Sequence, residues 1–158
     1  MAIYMKYGSI NGPVTTQGFE KWIELNSFQW GSGRAIGSAA RGSTSREHSE
    51  PSLSEVTVAK LTDVASPKLF LESVAGKLDN KVTIKFTTTT KGAIDTFLTF
   101  ELTDCGVSGY SMSSGGEMPQ ESISLNFTKI SKTFKGLDPD IAGSPETVGY
   151  DLTQMKTI

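Results

Sequence analysis

The chain has 158 residues, of which 37% are hydrophobic and 20% charged, a balance that favours one folded domain over a disordered charged segment. Its net charge of −2 gives no sign of the basic surface typical of nucleic-acid-binding proteins. A single cysteine, Cys105, excludes an intramolecular disulfide, and with only one histidine, His48, a zinc site of Cys and His ligands is not expected. We therefore expect no metal, no cofactor and no nucleic-acid partner.

The first eight residues lack the basic start and the apolar stretch of a secretory signal peptide. No apolar run approaches the roughly 18 residues that a membrane-spanning helix needs. From these two features we expect a cytoplasmic, soluble protein. They do not exclude export by a system that recognises the folded protein.

Strand patterns dominate the chain. Apolar and polar residues alternate in seven or eight short segments separated by turn residues, which places one face of each strand against a core. The sequence therefore predicts a mainly β fold, a closed β-barrel of about 8 strands with one flanking α-helix. The clearest alternating sets are Ile3/Met5/Tyr7, Val56/Val58, Val82/Ile84/Phe86, Leu98/Phe100/Leu102, Ile123/Leu125/Phe127 and Val148/Tyr150/Leu152.

The alternation changes phase in two places. The apolar positions change from odd to even numbers between Leu25 and Phe28, and again between Phe127 and Ile130. A β-bulge produces such a change and helps a barrel to turn corners, while chance irregularity explains it equally well.

A single helix is predicted after residue 65. Ser66 can cap its N-terminus and Pro67 fits the first helical position, while Gly76 can end it. The apolar residues that follow at helical spacing form one stripe, which we expect to pack on the barrel. The stripe consists of Phe70, Leu71, Val74, Ala75 and Leu78.

The remaining segments favour loops in a single domain that covers residues 1–158. Residues 31–52 form a long polar run without apolar periodicity, and residues 137–147 are interrupted by Pro and Gly. No catalytic site emerges, because His48 lies inside the polar run and Cys105 has no second histidine to activate it. We therefore expect no enzymatic activity.

Five stretches resemble the Hcp (haemolysin-coregulated protein) family. Residues 18–31 are similar to the strand that ends in a Trp-Gly corner, and residues 46–56 carry the Pro-Ser-x-Ser-Glu form. Residues 57–70 are similar to the stretch that carries the family's Lys-x-x-Asp-x-Ala-Ser-Pro-x-Leu block before its helix. Residues 125–127 and 148–152 resemble its closing strands, and the order of the stretches matches from end to end.

This resemblance implies a β-barrel that assembles into six-membered rings, which stack as the tube of the type VI secretion apparatus. The tube is expelled from the cell, and some rings carry effectors in the lumen. The implied partners are further copies of the chain, the spike and sheath proteins, and effector cargo. A small monomeric barrel that binds a ligand or nucleic acid is the alternative, and it would require a concentrated basic or aromatic patch.

Two sets of site residues follow from the ring expectation. Gln29 points away from the core side shared by its neighbours, so we expect it in the lumen; an ordinary solvent-facing strand residue is equally compatible. The polar run would be an arm that reaches a neighbouring subunit or ring, or else a disordered surface loop. Its candidate interface residues are Arg34, Arg41, Arg46, Glu47 and Glu50.

Overall fold

The computed structural model describes residues 1–37, 49–137 and 144–158, and in these ranges the chain is mainly β with one helix. This confirms the predicted class. The strands are β1 (Ala2–Tyr7), β2 (Ile23–Leu25), β3 (Ser27–Gln29), β4 (Ser32–Gly33), β5 (Ser52–Leu53), β6 (Val56–Leu61), β7 (Asn80–Thr90), β8 (Ala93–Ser113), β9 (Gln120–Asn126), β10 (Lys129–Phe134), β11 (Glu146–Asp151) and β12 (Lys156–Thr157), and the helix is α1 (Ser66–Ala75).

The long strand β8 joins two groups of antiparallel strands. Its first half pairs with β7 and β10, and its second half pairs with β9. The first group continues from β7 through β1 to β2, and from β10 through β11 to β12. The second group continues from β9 through β6 to β3. β-bulges between Phe86 and Thr87 and between Val107 and Gly109 shift the register of β8 against its neighbours, where they increase the local twist.

The predicted closed barrel is not confirmed. In the described ranges the main strand order is an open path, β12-β11-β10-β8-β7-β1-β2, and β3, β6 and β9 branch from it at β8. No ladder pairs the outer strand β2 with β6, although β3, one residue further on, does pair with β6. The prediction overlooked this change of partner because alternation fixes which face of a strand is buried, not which strand lies beside it.

Most of the alternating residues form the core, but the set Val148/Tyr150/Leu152 does not, because Val148 is 56% exposed and the other two are only partly buried. Five inward side chains of β7, β8 and β9 are fully buried, namely Val82, Ile84, Leu102, Ile123 and Leu125. The first predicted bulge coincides with a break between β2 and β3 at Asn26. The second phase change is a boundary between strands, because β9 ends at Asn126 and β10 begins at Lys129, so the bulge interpretation was wrong there.

The helix forms where predicted, but its orientation differs. Ala65, not Ser66, occupies the N-cap position, Pro67 lies in the first turn, and Gly76 caps the C-terminus. The buried face consists of Ala65, Ser66 and Leu69. The predicted packing stripe faces outward, so that part of the prediction was wrong.

The ends of the polar run 31–52 contain some regular structure. β4 and β5 form a two-stranded sheet, and Ser49 donates its backbone N–H to the Ala35 carbonyl at 2.8 Å. Residues 38–48 and the predicted loop residues 138–143 lie outside the described ranges.

Candidate functional site

The outward stripe of α1 is an exposed apolar surface, which we call the helix surface. It consists of Phe70, Leu71 and Val74 on the helix and of Leu78, which follows it, and their exposed fractions run from 54% to 71%. Met112, 58% exposed, extends it across a groove in which the Phe70 ring lies 5.8 Å from that of Tyr110. Contiguous exposed apolar side chains mark interaction surfaces in soluble proteins. The helix surface is therefore a candidate contact with another protein.

A buried polar cluster holds α1 in this orientation. Lys60 on β6 is 0% exposed, and its ammonium lies 3.1 Å from the Glu121 carboxylate, which is 1% exposed on the adjacent β9. Lys60 also donates to Ser66 Oγ at 3.0 Å, and Ser66 donates to Glu121 at 2.9 Å. The first turn of the helix is thus fixed to both strands by charge-assisted hydrogen bonds.

Two opposing effects act on the Glu121 carboxyl. Burial alone raises its pKa, but hydrogen bonds from Tyr110, Ser66 and Lys60 and the positive charge of Lys60 outweigh burial, so the pKa lies below its usual range. Glu121 is therefore ionised at neutral pH, and it forms a buried ion pair with Lys60 that the Ser66 hydroxyl bridges. The Lys60 ammonium also lies 3.0 Å from the carboxylate of the partly exposed Asp63.

A second candidate site is a cavity of about 610 Å³ beside β10, β11 and β12. Its wall is largely apolar and includes Trp30, Leu53 and Val148. The side chains of Arg34, Lys132 and Lys156 also line it, with no Asp or Glu among the described lining residues. The cavity combines an apolar surface with unbalanced positive charge, which suits a partner that is both apolar and anionic.

Cys105 has the properties of a packed core residue. Its side chain is 0% exposed, and burial raises the pKa of its thiol to about 12. The thiolate is the nucleophilic form, so at neutral pH this side chain is chemically inert. Among the described residues there is also no group of three or more His, Cys, Asp or Glu side chains placed to hold a metal ion.

The residues predicted from sequence are only partly brought together. Gln29 is exposed on β3, while Phe28 packs against Phe86 and Phe100 on the core side, as its parity predicts. Arg34 and Glu50 are exposed, and Arg34 lines the cavity. Whether Gln29 faces a lumen and whether Arg34 and Glu50 form an interface remain predictions. The other loop residues, Arg41, Arg46, Glu47 and His48, lie outside the described ranges.

Neither the ion pair nor the cavity was predicted from the sequence. The alternation of the strands contains a signal for the ion pair, because Lys60 falls on the same inward face as Val56 and Val58, and Glu121 on the same inward face as Ile123. The cavity has no comparable local signal, since its three cations come from distant parts of the chain.

Comparisons with known proteins agree with this architecture. Residues 4–134 match the family described as "Type VI secretion system effector, Hcp". No curated protein matches the chain.

Three solved structures similar to this chain span almost its whole length. One, described as "Structure of a type six secretion system protein", is 27% identical, with a TM-score of 0.87 and 99% of each chain covered. Hcp1 from Salmonella typhimurium is 20% identical, with a TM-score of 0.74 and 99% of each chain covered. A type VI secretion system effector from Yersinia pestis is 18% identical, with a TM-score of 0.71, 94% of this chain and 98% of that chain covered. The last two likenesses show the shared fold.

Proposed function

Because this chain belongs to the Hcp family and is a type VI secretion tube subunit, we propose that it closes into a ring of about six copies through head-to-tail contacts. Such rings would stack into a tube and leave the cell by type VI secretion. The described part of the chain has no helix long and apolar enough to cross a membrane. The family is one of structural proteins, which supports a non-enzymatic role.

The observation that carries this proposal is the helix surface. Three large apolar side chains on one short helix, and Leu78 just after it at 71% exposed, gain nothing by facing water. Contact with a neighbouring copy would remove them from solvent. A head-to-tail interface also needs two different surfaces on each copy, and the cavity beside β10, β11 and β12 is a second one.

Closure of the barrel is also part of the proposal. Only Asn26 separates β2, which pairs with β1, from β3, which pairs with β6. The Asn26 N–H donates to the Ala59 carbonyl of β6 at 2.7 Å, which supports a continuous path around the molecule. A closed barrel would give each ring subunit a rigid wall.

Native mass spectrometry tests the ring. We expect the wild-type protein to have about six times the mass of one chain. The variant Leu71→Ser/Val74→Ser should give smaller particles with an unchanged circular dichroism spectrum, because both side chains are more than half exposed. A monomeric wild type at micromolar concentration would contradict the proposal.

The ring would carry effectors in its lumen, and Gln29 is the residue we place there. We expect Gln29→Arg to keep the ring mass and to lower the amount of co-purified effector. One added positive charge per subunit would place like charges close together around the lumen. Gln17→Arg, the same substitution at an exposed position in the loop between β1 and β2, is the matched control. An intact ring with unchanged cargo would exclude Gln29 from the cargo-binding wall.

A further inference from the structure

The basic side chains that line the cavity have no oppositely charged partner within the described ranges of the chain. Lys60 is the only basic residue that forms an ion pair in the described ranges. Arg34, Lys132 and Lys156 therefore have no carboxylate partner among these residues. The Lys132 ammonium instead lies 5.9 Å from the centre of the Phe100 ring. An apolar cavity with three unpaired cations favours an occupant that presents an apolar side chain beside a carboxylate.

The hairpin tip between β8 and β9, residues 114–119, offers this combination. Met118 is 63% exposed, and the neighbouring Glu117 is exposed as well. Residues 113–120 contain no Lys or Arg, so Glu117 gives the tip a net negative charge. The tip also lies beside the helix surface, because Thr62, which precedes α1, donates its N–H to the Pro119 carbonyl at 2.9 Å.

We propose that the hairpin tip of one copy docks into the cavity of a neighbouring copy. Met118 would pack on the apolar wall, and the Glu117 carboxylate would pair with the cations at the cavity. The tip follows the C-terminal end of β8, whereas the cavity lies beside β10, which pairs with the N-terminal half of β8. The contact therefore joins two different surfaces, as a head-to-tail assembly requires. This inference rests on the proposed function.

A cysteine pair tests the contact directly. Met118→Cys and Val148→Cys place one thiol on the tip and one at the cavity, both at positions that are more than half exposed. Under mild oxidation the double variant should give a ladder of covalent oligomers on a non-reducing gel, because docked thiols can reach disulfide distance. Each single variant is the control, and the native Cys105 adds no background because it is fully buried.

The native mass of the wild type, measured in parallel, separates the two proposals. A monomeric wild type overturns the ring, and the tip contact with it. A wild type that forms rings, together with a double variant that has the same native mass and no ladder, overturns the tip contact alone and leaves the cavity to another occupant.

Charge reversal provides an independent measurement. Glu117→Lys and Lys156→Glu should each reduce the assembled fraction in sedimentation, because each places like charges together in the contact. The combined variant restores an opposite pair and should recover assembly. Equal assembly in all three variants would contradict the pairing.

Discussion

Replacing Lys60 with methionine is expected to lower the free energy of unfolding by about 3–5 kcal/mol, because the Glu121 carboxylate would lose its buried partner. Methionine fills a similar volume, so the loss would come from the uncompensated charge and not from a void. Urea denaturation at equal protein concentration measures the difference. Lys81→Met, at an exposed position on β7, is the control and should change stability by less than about 0.5 kcal/mol.

A double variant separates the loss of a pair from the loss of a charge. Lys60→Met/Glu121→Met removes both fully buried ions and leaves only the partly exposed Asp63. We expect it to recover most of the stability lost in Lys60→Met, because an apolar pair of similar size can replace a buried ion pair. A Lys60→Met variant as stable as the wild type would show that the pair does not contribute to the fold.

The same cluster makes stability depend on pH. The pKa of Glu121 is lower in the folded protein than in the unfolded chain, so its contribution is present above the unfolded pKa and is lost as the pH falls through the folded value. Wild-type stability should therefore decline below about pH 4. The double variant should lose less stability over the same range.

Much of the fold follows from local pattern. The alternation of Val82, Ile84 and Phe86 identifies both a strand and its buried face, because every second side chain of a strand points to the same face of the sheet. The helix was equally readable, since Pro67 and Gly76 mark its ends. Sheet connectivity was not, because the pairing of β8 with β7, β10 and β9 depends on contacts between distant segments.

The helix shows why the candidate site was harder to predict. A stripe such as Phe70, Leu71 and Val74 indicates that one face avoids water, but it does not say whether the same chain or another copy covers it. The face buried within this chain carries Ala65 and Leu69, whose spacing gives only a weak signal. Conversely, Lys60 and Glu121 read as surface charges unless their parity is compared with that of the core residues beside them.

Two leucines on the same helix measure this difference. Leu69 is 0% exposed and Leu71 is 56% exposed. We expect Leu69→Ala to lower the free energy of unfolding by about 2–5 kcal/mol, because it leaves a cavity in the core. Leu71→Ala should cost less than about 0.5 kcal/mol in the dissociated chain, because more than half of this side chain already faces solvent. Chemical denaturation at concentrations too low for assembly gives both values.

In the assembled protein, Leu71→Ala should have a larger effect on stability than it has in the dissociated chain. If the helix surface lies against a neighbouring copy, Leu71→Ala weakens the particle at concentrations where rings form, since the contact is made only there. Leu69→Ala should weaken the chain at every concentration. A large loss for Leu71→Ala in the dissociated chain would instead mean that this side of the helix is buried within one copy. The helix surface would then be unavailable for ring contacts.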